Sequence, residues 1–316
     1  MNKDPRQETI TSRERVLAAI ETLNYRPHAN ARSFKTCSTC MIGLLVQSLM
    51  QPYVGNLVNA VEDLRIKLDY GLFLATSHEN RESEQHMMDV HPSQYIDGQS
   101  YTFVSCNHKE PGKQLIEQVI PVVFLDRYIP GIDTDAVMSD KIKAAQRAIN
   151  CILDQVCRHI ICISFSQEAS PAIDQVKGYR IALHEHGIPI YEEIILNVNF
   201  TVGEMVAPYL DDYIKKKGLP DGILRTTERF IVDKIRRLKK NQISVLQQVH
   251  VVGGFFDSPW NTLLDPPVTI VNQDFQREAQ TAIELLVDHL QGIESPPRNV
   301  LIEAEFLTPS VQEDLY

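Results

Sequence analysis

No apolar run in this chain approaches the ~20 residues that a membrane-spanning helix needs. The first ten residues, MNKDPRQETI, are polar and carry no secretory leader. These absences predict a cytoplasmic protein with no membrane partner. Phosphate-cradling glycine motifs are also missing: neither GxxxxGK[ST] nor GxGxxG occurs among the 14 glycines. HExxH and GxSxG are absent, and no Ser/His/Asp set can be placed by spacing. No catalytic residue is assigned, no cofactor is implied, and nothing argues for an enzyme. Cysteine is sparse, with six at positions 37, 40, 106, 151, 157 and 162. In a cytosolic chain these read as free thiols. Cys37 and Cys40 form a single CxxC, whereas a closed zinc site needs four ligands. His184 and His186 flank Glu185 at a helix end and read as solvated surface, so no metal site is expected.

What is present is enough apolar material for sizeable cores. The chain has 316 residues, 43% of them hydrophobic, and a formal charge of −10. Two domains are the natural expectation at this length. Residues 1–40 hold seven Lys/Arg and four Asp/Glu, a balance of +3 that leaves −13 for the rest. Only this small basic head suits a polyanion, although charge alone favours a solvated helix face.

Hydrophobic periodicity predicts a helix over 9–24, with Thr11 and Glu14 at capping-box spacing and Val16, Leu17, Ile20 and Leu23 on one face. HANARSFK (28–35) is a second, short helical candidate, and 36–40 reads as a linker. From residue 41 strands and helices alternate. Strands are expected at 41–46, 70–76, 101–105, 120–125, 136–139, 159–165, 192–198, 221–224, 249–254, about 268–273 and 300–307. Helices are expected near 53–67, 80–90, 141–155, 171–186, 203–216, 228–239 and 275–291. Repeated strand–helix units imply parallel sheets covered on both faces. Their number suits two α/β lobes, with ligands at the carboxyl ends of the strands and in the cleft between lobes.

Residues 13–35, RERVLAAIETLNYRPHANARSFK, resemble the lactose-repressor/galactose-repressor family of bacterial transcription regulators. There a helix-turn-helix is followed by a third helix, a Y-x-P turn and a hinge helix reading roughly N-A-x-A-R-S-L. IGLLVQSLMQPYV, PVVFLDRYIPG, KGYRIALHEHGIP and FDSPWNTLLDPPVTIV resemble further landmarks in family order. The resemblance covers about 25–305. It implies a two-lobed periplasmic-binding-protein type I fold behind a partial DNA-binding head and hinge helix. The implied division is a helix-turn-helix remnant at 1–27 and a hinge and linker at 28–40. Lobe one would take 41–140 plus 274–292, and lobe two 141–273 plus 293–316.

The implied activity is regulation, chiefly repression, of sugar or related catabolic genes. A homodimer would grip a pseudo-palindromic operator, and a small sugar-like effector in the cleft would bias the lobes. On the DNA side the resemblance places Tyr25, Asn30, Ala31, Arg32, Ser33, Phe34 and Lys35, with Phe34 where the family has an apolar minor-groove wedge. On the effector side it places Ser48, Gln51, Tyr53, Thr76, Asp126, Gln175, Thr227 and Phe256. Tyr53 would stack on the ligand and Asp126 would accept from a hydroxyl.

The chain departs from the family pattern in three respects. Gln175 stands where the family commonly has an Arg, which removes a charge and a bidentate donor. Thr227 and Glu228 replace an Asn-Asp pair, and Phe256 replaces the first Asp of an F-D-D-S pattern. The cleft is therefore expected to prefer a less polar or uncharged ligand, or to bind none. Family members also carry about 20–25 residues ahead of this chain's first. Either the start lies at an internal Met of a longer protein, or the head is shortened. A shortened head would leave an effector-binding and dimerisation module without specific DNA binding, acting through a heterodimer with a full-length relative.

Overall fold

A computed structural model describes residues 5–23, 38–90, 96–117, 120–155, 157–165, 168–198, 206–226, 249–253 and 268–307. All seven DNA-side residues named above lie outside this set, as do Thr227, Glu228, Phe256 and the 228–239 helix. The first element is α1 (Pro5–Thr22). It begins earlier than expected, so Thr11 lies inside the helix and does not cap it. Proline suits a first helical turn, where its missing N–H costs nothing. Val16 and Leu17 on α1 are exposed, as is Leu23 just after it.

The chain then builds β1 (Met41–Val46), α2 (Pro52–Lys67), β2 (Gly71–Thr76), α3 (Arg81–Val90) and β3 (Gly98–Tyr101). It continues through α4 (Glu110–Glu117), β4 (Val122–Leu125) and β5 (Asp135–Ser139). Next come α5 (Lys141–Leu153), β6 (Ile160–Ser164), α6 (Ser170–Glu185), a 3₁₀ turn (Glu192–Ile194) and β7 (Ile195–Asn197). The last elements are α7 (Val206–Lys217), β8 (Gly222–Arg225), β9 (His250–Gly253), β10 (Ile270–Asn272), α8 (Phe275–Leu290), β11 (Asn299–Ile302) and β12 (Glu305–Leu307).

Two parallel sheets result. The first has the order β2-β1-β3-β4-β5-β11 and the second β7-β6-β8-β9, with β10 and β12 as a separate antiparallel pair. On one face of the first sheet, Ile42, Leu44 and Val46 pack with Leu57 of α2 and Ile283 and Leu286 of α8. On the other face, Leu45, Tyr101 and Phe124 meet Met88 of α3 and Leu115 of α4. The second lobe's core joins Ile161 and Ile163 to Ala145 and Ile149 of α5 and Tyr179 of α6. Each such fully buried Val, Leu, Ile, Phe or Met side chain contributes roughly 1.5–3 kcal/mol. Helices α5 and α6 approach closely at Gly178, where an added Cβ would fall 2.2 Å from the Ile142 carbonyl oxygen.

Several expectations need correction. The third strand is 98–101, not 101–105. It pairs through Gln99 and Ser100, both buried, and these polar residues hid it behind the apolar run that follows. Helix α4 was not foreseen, since Pro111 and Gly112 argue against a helix. The expected single strand over 300–307 is two strands belonging to different lobes. β11 pairs in parallel with β5, whereas β12 pairs with β10. Ile302 lies in the first lobe's core and Ala304 in the second's. The third crossing therefore falls between 302 and 304 rather than at 292/293, because β11 adds to the first sheet beside β5.

Candidate functional site between the lobes

Strand order reverses between β1 and β3 in the first sheet and between β6 and β8 in the second, which opens a crevice at the carboxyl ends of these strands. Ser48 and Gln51 follow β1, Thr76 ends β2, and Asp126 follows β4. Gln175 comes from α6 in the other lobe. Ser48 Oγ accepts from the Met50 N–H at 3.3 Å. Thr76 Oγ1 lies 2.9 Å from His78 Nε2. Gln51 caps no N–H of α2; its Nε2 donates to Glu79 Oε1 at 3.3 Å.

Glu79 leads to a residue that sequence reasoning missed. Arg127 is fully buried and forks onto Glu79, with Nη2 to Oε1 at 2.8 Å and Nη1 to Oε2 at 3.0 Å. Its Nη1 also donates to the Phe103 carbonyl at 3.0 Å. Burial disfavours its charge, but Glu79, Asp126 and Glu84 together outweigh burial and hold the guanidinium's pKa above its ordinary value.

Two of the expected ligand residues turn inward. Asp126 has a left-handed backbone, φ 63°, which is unfavourable for a residue with a Cβ. This conformation accompanies a buried ion pair, Lys141 Nζ to Asp126 Oδ1 at 2.8 Å. Tyr53 is buried, and its hydroxyl donates to Glu278 on α8, which also receives the Ser139 hydroxyl. In this arrangement the Tyr53 ring is not an open stacking face, and Asp126 is not an open acceptor. Burial pushes the Glu278 carboxyl up to about 7, against the opposing effect of Lys141. Burial also raises Tyr53, with Asp126 and Glu278 adding to it. Lys141 is raised because Asp126 and Glu278 overcome its desolvation.

Gln175 is buried, and its Oε1 has no hydrogen-bond partner. Fully buried Arg225 ends β8 in the same lobe. Contacts beside these residues join the lobes, among them the following. Arg81 pairs with Glu168. The Cys106 N–H donates to the Glu168 carbonyl at 2.7 Å. The Tyr128 N–H donates to Ser170 Oγ at 3.0 Å. Among the described residues no His/Cys/Asp/Glu cluster has the arrangement of a metal site, and His184, Glu185 and His186 are exposed. No helix among them is long and apolar enough to cross a membrane.

Two parallel α/β lobes joined by three crossings, with polar side chains gathered at the facing strand ends, describe a ligand-binding architecture. Residues 150–308 match the family model of the periplasmic binding protein-like domain. The chain belongs to that family. Its sequence relatives bear out the resemblance to the lactose-repressor/galactose-repressor regulators. It is 24% identical to catabolite control protein A of Priestia megaterium, over 92% of this chain and 86% of that protein. It is 26% identical to the ribose operon repressor of Halalkalibacterium halodurans, over 88% of this chain and 81% of that protein. Among solved structures, the transcriptional regulator CelR–cellobiose complex superposes with a TM-score of 0.76 at 23% identity, covering 97% of this chain and 91% of that one. Transcription regulator CcpA of Lactococcus lactis gives 0.74 at 19% identity, covering 85% and 97%. These relatives of the family are transcription regulators and not enzymes.

Proposed function

We propose that this chain is an effector-responsive transcription regulator, acting as a homodimer on operator DNA, with a small sugar-like ligand in the inter-lobe cleft. One observation carries the reading. The likeness to repressors spans nearly the whole chain, 95% of it for the repressor PurR of Aliivibrio fischeri. The match therefore takes in residues ahead of β1 as well as the lobes. An effector that bridges the lobes biases their arrangement only through unequal affinity for the two states.

The polar groups of the cleft favour an uncharged, hydroxyl-bearing effector. Arg127, Lys141 and Arg81 each already face a carboxylate, so none is a ready partner for a phosphate. The buried Oε1 of Gln175 is an acceptor suited to a hydroxyl donor. The test is a thermal-shift and calorimetric panel of neutral mono- and disaccharides against sugar phosphates and sugar acids. A neutral sugar present at 100 times its Kd should stabilise the fold by about 2.7 kcal/mol. Preferential micromolar binding of a sugar phosphate or sugar acid would contradict the uncharged-ligand reading.

A further inference from the structure

A separate cavity of about 300 Å³ lies on the opposite face of the first sheet from α2 and α8. Met88 and Leu115 cover the centre of this face. At the β5–β11 end the loop 127–134 lies over the strands instead. The cavity is walled by Ile129, Ile132, Met138 and Leu301, and at one end it reaches Tyr128 and Asp174. None of the six described effector-side residues assigned from the sequence (Ser48, Gln51, Tyr53, Thr76, Asp126 and Gln175) lines it.

We propose that this cavity binds a small organic cation, with an ammonium group at Asp174 and a compact apolar body between Ile129, Ile132, Met138 and Leu301. Asp174 is half-buried and accepts from the Tyr128 hydroxyl at 3.2 and 3.3 Å. Among the described residues no cation forms an ion pair with it. Lys141, which also lines the cavity, is held 2.8 Å from Asp126. Lys143 is held 3.2 Å from Asp140. Lys177 lies three residues along α6 from Asp174; it is exposed and makes no ion pair with Asp174, although its charge acts to lower the Asp174 pKa. Among the described lining residues the carboxylates are Asp140 and Asp174 and the ammonium group is Lys141, and burial raises the Asp174 pKa despite Tyr128, Lys141 and Lys177. An anion would add to this imbalance, a neutral ligand would leave it, and a cation relieves it. The apolar walls supply the remaining affinity. Tyr128 belongs to the first lobe and Asp174 to the second, so the occupant touches both. This site does not depend on the regulatory reading.

The test is calorimetry on the full chain at pH 7.5 with benzylamine, benzyl alcohol and benzoate, which share a ring and differ in charge. Benzylamine should bind at least tenfold more tightly than benzyl alcohol, and benzoate should not bind. Asp174→Asn should bring the amine down to the alcohol's affinity. Leu301→Trp, at an exposed rim position, should abolish both; Asn299→Trp on the same rim is the second block if the first variant melts early by circular dichroism. No binding of the amine, equal binding of amine and alcohol, or amine binding that survives both Asp174→Asn and the rim variants would overturn the proposal.

Discussion

Lys141 Nζ lies 2.8 Å from Asp126 Oδ1, and the two buried side chains meet where the chain first crosses from one lobe to the other. The pair ties the end of β4 to the first residue of α5. Glu278 adds a third charge-bearing group and draws α8 and Tyr53 of α2 into the same knot.

Removing one partner of such a pair leaves a buried charge uncompensated, which typically costs about 3–5 kcal/mol. Lys141→Met should lower stability by that order in urea denaturation. Adding Asp126→Asn should restore much of it, because the stranded carboxylate is then gone. Equal losses in the single and double variants would show that the pair is not coupled.

The buried acids Glu278 and Glu84 are both raised to about 7, chiefly by burial. Between the ordinary carboxylate range and pH 7 the folded protein therefore binds more protons at these sites than the unfolded chain does. Their contribution makes stability fall as pH rises through this window. Glu278→Gln and Glu84→Gln should each flatten that decline when stability is compared at pH 5 and pH 8. A decline unchanged in both variants would contradict the assignment.

Asp97 anchors the start of the first lobe. Its carboxylate accepts from Ser38 Oγ at 2.7 Å, Thr39 N–H at 2.8 Å and Cys40 N–H at 2.8 Å. Burial opposes its charge, but these donors outweigh burial and hold its pKa below the ordinary value. This stability is present above the unfolded pKa and is lost as pH falls through the folded one. Asp97→Ala should remove hydrogen-exchange protection at the Thr39 and Cys40 amides while protection in β1 persists.

Two further substitutions separate tight packing from exposed charge. Gly178→Ala drives a methyl group toward the Ile142 carbonyl oxygen and should cost about 1–3 kcal/mol. Arg81→Ala breaks an ion pair whose two side chains are 44% and 50% exposed, so thermal unfolding should show a loss of less than about 1 kcal/mol. The reverse ranking would contradict the packing account.

Most of the lobes was legible in the sequence because apolar strand runs such as MIGLLV and HIICISF alternate with amphipathic helices. β3 was displaced because its central positions are Gln99 and Ser100, polar residues that a hydrophobic pattern does not report. β11 and β12 read as one strand because VLIEAEFL has no turn residue where the chain changes lobes. Around the crevice, Asp126, Tyr53 and Gln175 were placed by resemblance, and the first two turn inward. Glu79, Arg127, Lys141 and Glu278 were missed, since a charged residue beside a helix start or a strand end reads as solvent-facing. Glu278 meets Tyr53 across 225 positions of sequence, a distance over which no local spacing carries information.

The central claim is tested most directly by fluorescence anisotropy of the full chain on duplexes from its own promoter and on a random duplex pool. Two salt concentrations and the presence or absence of the sugar selected in the panel complete the design. The account predicts saturable, sequence-selective binding that changes with the sugar. Weak binding of equal strength to both pools, erased by salt, would be the electrostatic background of a basic segment and would contradict specific DNA recognition by this chain.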